Sequence, residues 1–171
     1  MESSLSLFVN AQLGQLASDP EHSSTATPAV GQLTGIGVGP GDPELLTVKA
    51  LRLLQAAPVV AFPAGRNGQL GMAQQIIAPW LQPHQVQLPL TFSFDRDPAV
   101  LEAAWQGAAV RVWPYLNQGQ DVVFASEGDI SFYSTFTYLA QTLQQEHPEL
   151  QVRAVPGVCS PLAAAAAVGH P

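Results

Sequence analysis

Three short segments hold the residue types that can grip a small ligand through backbone groups and small side chains. The first is GIGVGPGD, residues 35–42; the second is Glu127-Gly128-Asp129 with Ile130, Ser131 and Phe132 behind it; the third is Pro156-Gly157-Val158-Cys159-Ser160. Glycine tolerates positive φ and lets another backbone approach closely, so such segments can turn N–H and C=O groups toward a ligand. The first segment invites a dinucleotide reading, but its spacing fails. A G-x-G-x-x-G frame begun at Gly35 puts Pro40 in the third glycine position, and one begun at Gly37 puts Asp42 there. The acidic residue expected about 20 positions further on is replaced by the run FPAGRNG, and no Gly-Lys-Ser/Thr triplet exists for a phosphate loop. Taken alone the segment is equally well a tight strand-to-helix turn; Pro40 between two glycines stiffens it beyond what a mere turn requires.

Other chemistries find little support. Cys159 is the one cysteine, and His22, His84, His147 and His170 share no ligand-like spacing with it or each other. A zinc site is not expected, and Cys159 has no suggested histidine to activate it as a nucleophile. Asp129 is an ordinary candidate for a helix cap near Ser131, and a mixed role of cap and site residue is favoured. Asp42 is read either as a cap or as part of its loop.

These segments need rigid elements behind them. Residues 33–39 have a short strand pattern ending in glycines. After Asp42, with Pro43 and Glu44 as first-turn residues, a helix carries Leu45, Leu46, Val48, Leu51, Leu53 and Leu54 until Pro58 stops it. VVAFP reads as a strand buried on both faces. A helix is expected over 71–81, a strand at VQLPL, and a longer helix over 97–116 begun by Asp97 and Pro98. A strand at DVVFAS, a helix over 131–145, a strand at VRAV and a helix over 161–168 complete the pattern. Strands alternating with helices predict an α/β fold: a mostly parallel five-stranded sheet with helices on both faces. Ligands in such sheets bind beyond the carboxyl ends of the strands, where all three segments fall. Tyr133 and Tyr138 are expected to be helix-packing residues rather than acids or bases. Residues 1–32 read as a flexible extension: 5–16 offers a weak helical turn or two, and 18–27 is rich in Ser, Thr, Pro and Ala.

Composition narrows the function classes. Of 171 residues 47% are hydrophobic and 11% charged, enough for a real core. The net charge is −7, and the six Lys and Arg residues are scattered singly. No basic stripe exists to neutralise a phosphate backbone, so no nucleic-acid partner is expected. The apolar runs are short and interrupted, so no membrane span is expected either. A single cysteine suits a reducing compartment, and a cytoplasmic location follows as the default.

The run GIGVGPGDPELLTVKALRLL closely resembles the opening of the tetrapyrrole methylases, the class III S-adenosylmethionine methyltransferases. ASEGDISFYSTFTYL resembles that family's GDP-type loop and the helix after it, and VRAVPGVCSPLAAAAAVGHP resembles its PGI-S/T block. All three occur in family order and separation, covering about residue 33 to the end. The EGD-x-x-F/Y-x-T-F-x-Y-L form, with LPLTF before it, looks most like the precorrin-2 C20-methyltransferase branch. Where the family often has proline after Gly-Asp this chain has Ile130, and the loss of a fixed φ is expected to loosen that loop slightly.

The resemblance implies S-adenosyl-L-methionine as methyl donor, with precorrin-2 or cobalt-precorrin-2 methylated at C20 in cobalamin biosynthesis. The alternatives are a family member acting at another ring position, such as on uroporphyrinogen III, an NAD(P)-binding oxidoreductase, or a non-catalytic remnant. It implies Pro40, Glu127, Gly128, Asp129, Phe132, Cys159 and Ser160 at the cofactor, and Ser134 and Thr135 within reach of it. It names no catalytic residue: the proton acceptor is open among a substrate carboxylate, a water and a residue of the second domain that the family adds. Arg66, Arg96 and Arg111 are candidates to attract the substrate's carboxylates. It also implies a homodimer in the full-length family and a second α/β domain after the third block. The expected organisation is therefore an extension at 1–32, the N-terminal methylase domain at 33–158, and the start of a truncated C-terminal domain at 159–171. In that form the chain is expected to be inactive or nearly so.

Overall fold

The computed structural model describes residues 29–65, 69–93 and 95–169. The expected weak helical turns within 5–16, the linker at 18–27, and Arg66 lie outside them.

Five strands form one parallel sheet: β1 (Leu33–Gly37), β2 (Val59–Pro63), β3 (Val86–Leu90), β4 (Val122–Ser126) and β5 (Val152–Val155). Their order across the sheet is β3-β2-β4-β1-β5. The register pairs Leu33 with both Val122 and Val152, and Val59 with both Val122 and Val86, so the strand starts are nearly level. Their carboxyl ends consequently emerge along one rim.

Alternation along the strands divides the core into two layers. Leu33, Val59, Ala61, Leu88, Leu90, Val122, Phe124 and Val152 face one side. There they meet α3 (Pro98–Asn117) through Ala108, Ala109, Val112 and Leu116, and α4 (Phe136–Glu146) through Phe136, Leu139, Ala140 and Leu143. Ile36, Val60, Phe62, Val123, Ala125 and Val155 face the other side, against α1 (Val48–Ala56) and α2 (Met72–Ile77). The last helix, α5 (Ser160–Ala167), has no buried residue. Gly35 makes room for the core: a Cβ there would lie 2.6 Å from the Phe136 ring.

Three helices begin or end elsewhere than the sequence pattern suggests. The first is split: Asp42 caps a 3-10 turn at Pro43–Leu45, the chain extends at Leu46, and Thr47 caps α1 anew by accepting from Ala50 N at 3.2 Å. A hydroxyl outcompetes the continuous apolar pattern by offering the backbone a fresh start. The second helix tightens into a 3-10 turn at Ala78–Trp80, where Pro79 stands. The third, expected from Ser131, starts only at Phe136. Residues 131–135 make turns instead, and Tyr133 adopts a left-handed φ of 53°. Tyr133 is 94% exposed and so packs no helix, whereas Tyr138 stacks on Trp105 of α3 with ring centroids 4.3 Å apart.

Candidate cofactor site

The glycine segments after β1, β4 and β5 converge at the rim of the sheet. Beyond β1, Val38 N donates to Ser126 O at 2.9 Å, and the chain then pairs Gly39 with Gly128 as an antiparallel bridge. Gly39 N donates to Gly128 O at 3.1 Å, and Gly128 N to Gly39 O at 2.8 Å. Gly39 at φ 81° and Gly128 at φ 69° occupy the left-handed region, which a β-carbon disfavours. The third segment closes on the first two. A Cβ on Gly37 would lie 2.6 Å from Gly157 N and 2.7 Å from Gly128 O. Three backbones therefore touch where any side chain would hold them apart.

Asp129 fastens this junction. Its Oδ1 accepts from Ser131 N at 2.9 Å and from the Ser131 hydroxyl, while its Oδ2 accepts from Gly157 N at 2.8 Å. Partial burial pushes its carboxyl up, but the bonds from the Ser131 hydroxyl, Gly157 N–H and Ser131 N–H outweigh it and hold the carboxyl below its ordinary value. The helix-cap expectation is thus corrected in its object: Asp129 caps a turn at Ser131 and reaches across to a different loop, and α4 starts after Thr135 without a side-chain cap bond. Ile130 is buried in the core beside α3 and α4. Its side chain packs under the loop at the position where the family often has proline.

The junction borders a cleft of about 620 Å³, within the range of small-molecule sites. Glu127, Gly128, Asp129, Phe132, Cys159 and Ser160 all line it, and so does Thr135. Pro40 lies at a half-buried bend of the first loop, outside this lining, as does Ser134. The Ser134 hydroxyl instead accepts from Phe136 N and donates to the Ser126 hydroxyl at 3.1 Å, so Ser126 joins the cleft wall with support from behind. The opposite wall escaped sequence reasoning. It comes from the ends of β2 and β3: Pro63, Ala64, Gly65, the segment 69–73, Thr91 and Phe92. The general rule that sheet ligands sit beyond strand ends was the only signal for these residues, since FPAGRNG carries no motif. Arg111 donates from one guanidinium nitrogen to Pro89 O on the edge strand β3 and is otherwise exposed, beside a smaller hollow that shares Thr91 with the cleft. Among the described residues no helix is long and apolar enough to cross a membrane.

Residues 32–171 match the tetrapyrrole (corrin/porphyrin) methylases, and the chain belongs to that family. Methylases of this family take their methyl group from S-adenosyl-L-methionine. The chain is 38% identical over 151 residues to the cobalamin biosynthesis protein CobIJ of Mycobacterium bovis, covering 84% of this chain and 29% of that protein. It is 36% identical over 137 residues to the precorrin-2 C(20)-methyltransferase of a Sinorhizobium species, covering 75% of this chain and 54% of the relative. Among solved structures, a cobalt precorrin-4 methyltransferase superposes with a TM-score of 0.61 at 30% identity, over 81% of this chain and 50% of that one. The chain thus spans about half or less of the length of these proteins.

Proposed function

We propose that this chain forms the S-adenosylmethionine-cradling part of a methyltransferase that methylates precorrin-2, or its cobalt complex, at C20 in cobalamin biosynthesis. The observation that carries the methyl-donor reading is the junction of Gly37, Gly39, Gly128 and Gly157 beside a cleft of nucleoside size. The lining suits the donor's chemistry. Gly128 spends its own N–H and C=O on Gly39, so backbone groups of Glu127, Asp129, Cys159 and Ser160 are the ones left to bond its polar ends; Phe132 and Met72 offer apolar surface to its adenine and the methylenes beside its sulfur, and Glu127 is open to its hydroxyls or ammonium. When bound, the sulfonium would supply an electrophilic methyl to an electron-rich carbon of a reduced tetrapyrrole, the S–CH₃ bond breaking as the C–C bond forms, with S-adenosylhomocysteine as leaving group and a proton lost from the ring afterwards. The chain's own contribution is alignment, an effect that can reach about 7–11 kcal/mol.

The C20 position rests on the EGDISFYSTFTYL and LPLTF runs and on likeness to the precorrin-2 relative. A second reading, methylation at another ring position, is favoured by the overlap with a cobalt precorrin-4 methyltransferase. In either reading residues 33–158 act as the N-terminal methylase domain, 159–171 lead into the next, the whole enzyme is a homodimer, and the location is cytoplasmic.

Isothermal titration of the chain with S-adenosylhomocysteine and with NADP separates the methyl-donor reading from an oxidoreductase. Binding of the first alone is expected; binding of NADP alone overturns the proposal. Methyl transfer to precorrin-2, with and without cobalt, then decides the ring position from the product's methylation pattern.

A further inference from the structure

The Asp129 carboxylate joins two segments 28 residues apart in the chain, and among the described residues no other side chain lining the cleft makes a hydrogen bond over such a separation. Each of its oxygens is committed to the protein: Oδ1 to the turn at Ser131, Oδ2 to Gly157 N. A carboxylate so engaged is poorly placed to serve as a ligand's own hydrogen-bond partner. It is well placed to hold other groups still. The segment it anchors runs on from Gly157 to Cys159 and Ser160, which face the cleft, and the segment it stands on carries Glu127 and Gly128, which face it too.

We propose that Asp129 is a positioning residue, whose carboxylate ties the Gly157 N–H to the Ser131 turn and so sets the separation of the two cleft-facing segments 127–129 and 157–160. This rests on the methyl-donor reading for its consequence, but not for its geometry. A neutral amide cannot replace it. Asparagine has one acceptor oxygen, and its NH₂ would oppose an N–H donor at either Gly157 or Ser131. The clasp also titrates. The folded carboxyl lies below its ordinary value, so its stabilisation is complete above the ordinary aspartate range and is lost as pH falls through the lowered folded value.

The test compares the wild-type chain with Asp129→Asn by amide hydrogen exchange, chemical denaturation and S-adenosylhomocysteine titration. In the variant, exchange at the Gly157 amide is expected to accelerate at least about tenfold, the scale of one charge-assisted hydrogen bond. S-adenosylhomocysteine affinity is expected to fall by a comparable factor, with the denaturation midpoint moved far less than by a core substitution. In the wild type, the Gly157 amide resonance is expected to shift on acidification with a midpoint below the ordinary aspartate value, and in the variant not at all. Unchanged Gly157 exchange, or faster exchange with unchanged affinity, overturns the proposal. Should Asp129→Asn not fold, Ser131→Ala serves: losing the hydroxyl bond must raise the midpoint of the Gly157 titration, and an unmoved midpoint refutes the clasp. A wild-type chain that binds no S-adenosylhomocysteine sinks the methyl-donor reading separately, while Gly157 exchange still decides the clasp.

Discussion

Gly157 is where the smallest change should do the most harm. Its missing Cβ would fall against Gly128 O and against the Gly37 carbonyl, which are backbone atoms of two other segments and cannot swing aside as a side chain would. Gly157→Ala is therefore expected to cost about 1–3 kcal/mol through overpacking. It should also lower S-adenosylhomocysteine affinity by more than the stability loss explains, because it wedges apart the segments lining the cleft. Denaturation and titration of the same variant check both. Gly128 differs: a Cβ there meets nothing within 4 Å, and only its φ of 69° resists substitution. Gly128→Asn should accordingly be milder than Gly128→Val, since asparagine enters the left-handed region more readily than a β-branched residue. The glycines were legible in the sequence as a pattern. Which of them exist for close approach and which for conformation was not, because that depends on atoms brought from 90 or more residues away, such as Gly128 O beside Gly37.

At the scale of elements, the alternation of strands and helices was readable because each strand's apolar run is short and bounded, and all five lie where the pattern put them. Helix starts were less readable. The apolar residues Leu45 to Leu54 keep helical spacing through a break that only the Thr47 cap and the extended Leu46 reveal. Thr47→Ala removes that bond and is expected to cost about 1 kcal/mol. Its ordering effect reaches the site, since α1 packs under Ile36 and Val38, which carry the chain into the 37–42 loop. The late start of α4 has another cause. Asp129 and Ser134 offer local acceptors to Ser131 N and Phe136 N, and these turns replace the first helical turn that the sequence 131–135 would otherwise extend. The deviation falls at the rim of the cleft, where exposed Phe132 and Tyr133 stand against each other edge-on at 4.7 Å.

The molecule as a whole depends on a sheet shared by two cores. β4 contributes Val122 and Phe124 to the layer under α3 and α4, and Val123 and Ala125 to the layer under α1 and α2; β1 divides Leu33 and Ile36 in the same way. Loss of either layer would expose to water one apolar face of the same strands that carry the other layer, which couples the two. The described residues should thus unfold as one cooperative unit. Trp80 packs against the α1–α2 layer and Trp113 against the α3–α4 layer, so each reports one side. Chains keeping only Trp80 or only Trp113, the other tryptophans changed to Phe, are expected to show fluorescence transitions whose midpoints shift equally on adding Leu54→Ala or Leu139→Ala. These truncations remove fully buried side chains on opposite layers, each costing about 2–5 kcal/mol. Separate midpoints would mean that the layers melt independently. The three glycine segments, which emerge from β1, β4 and β5 together, would then lack the common rigid base on which their convergence depends.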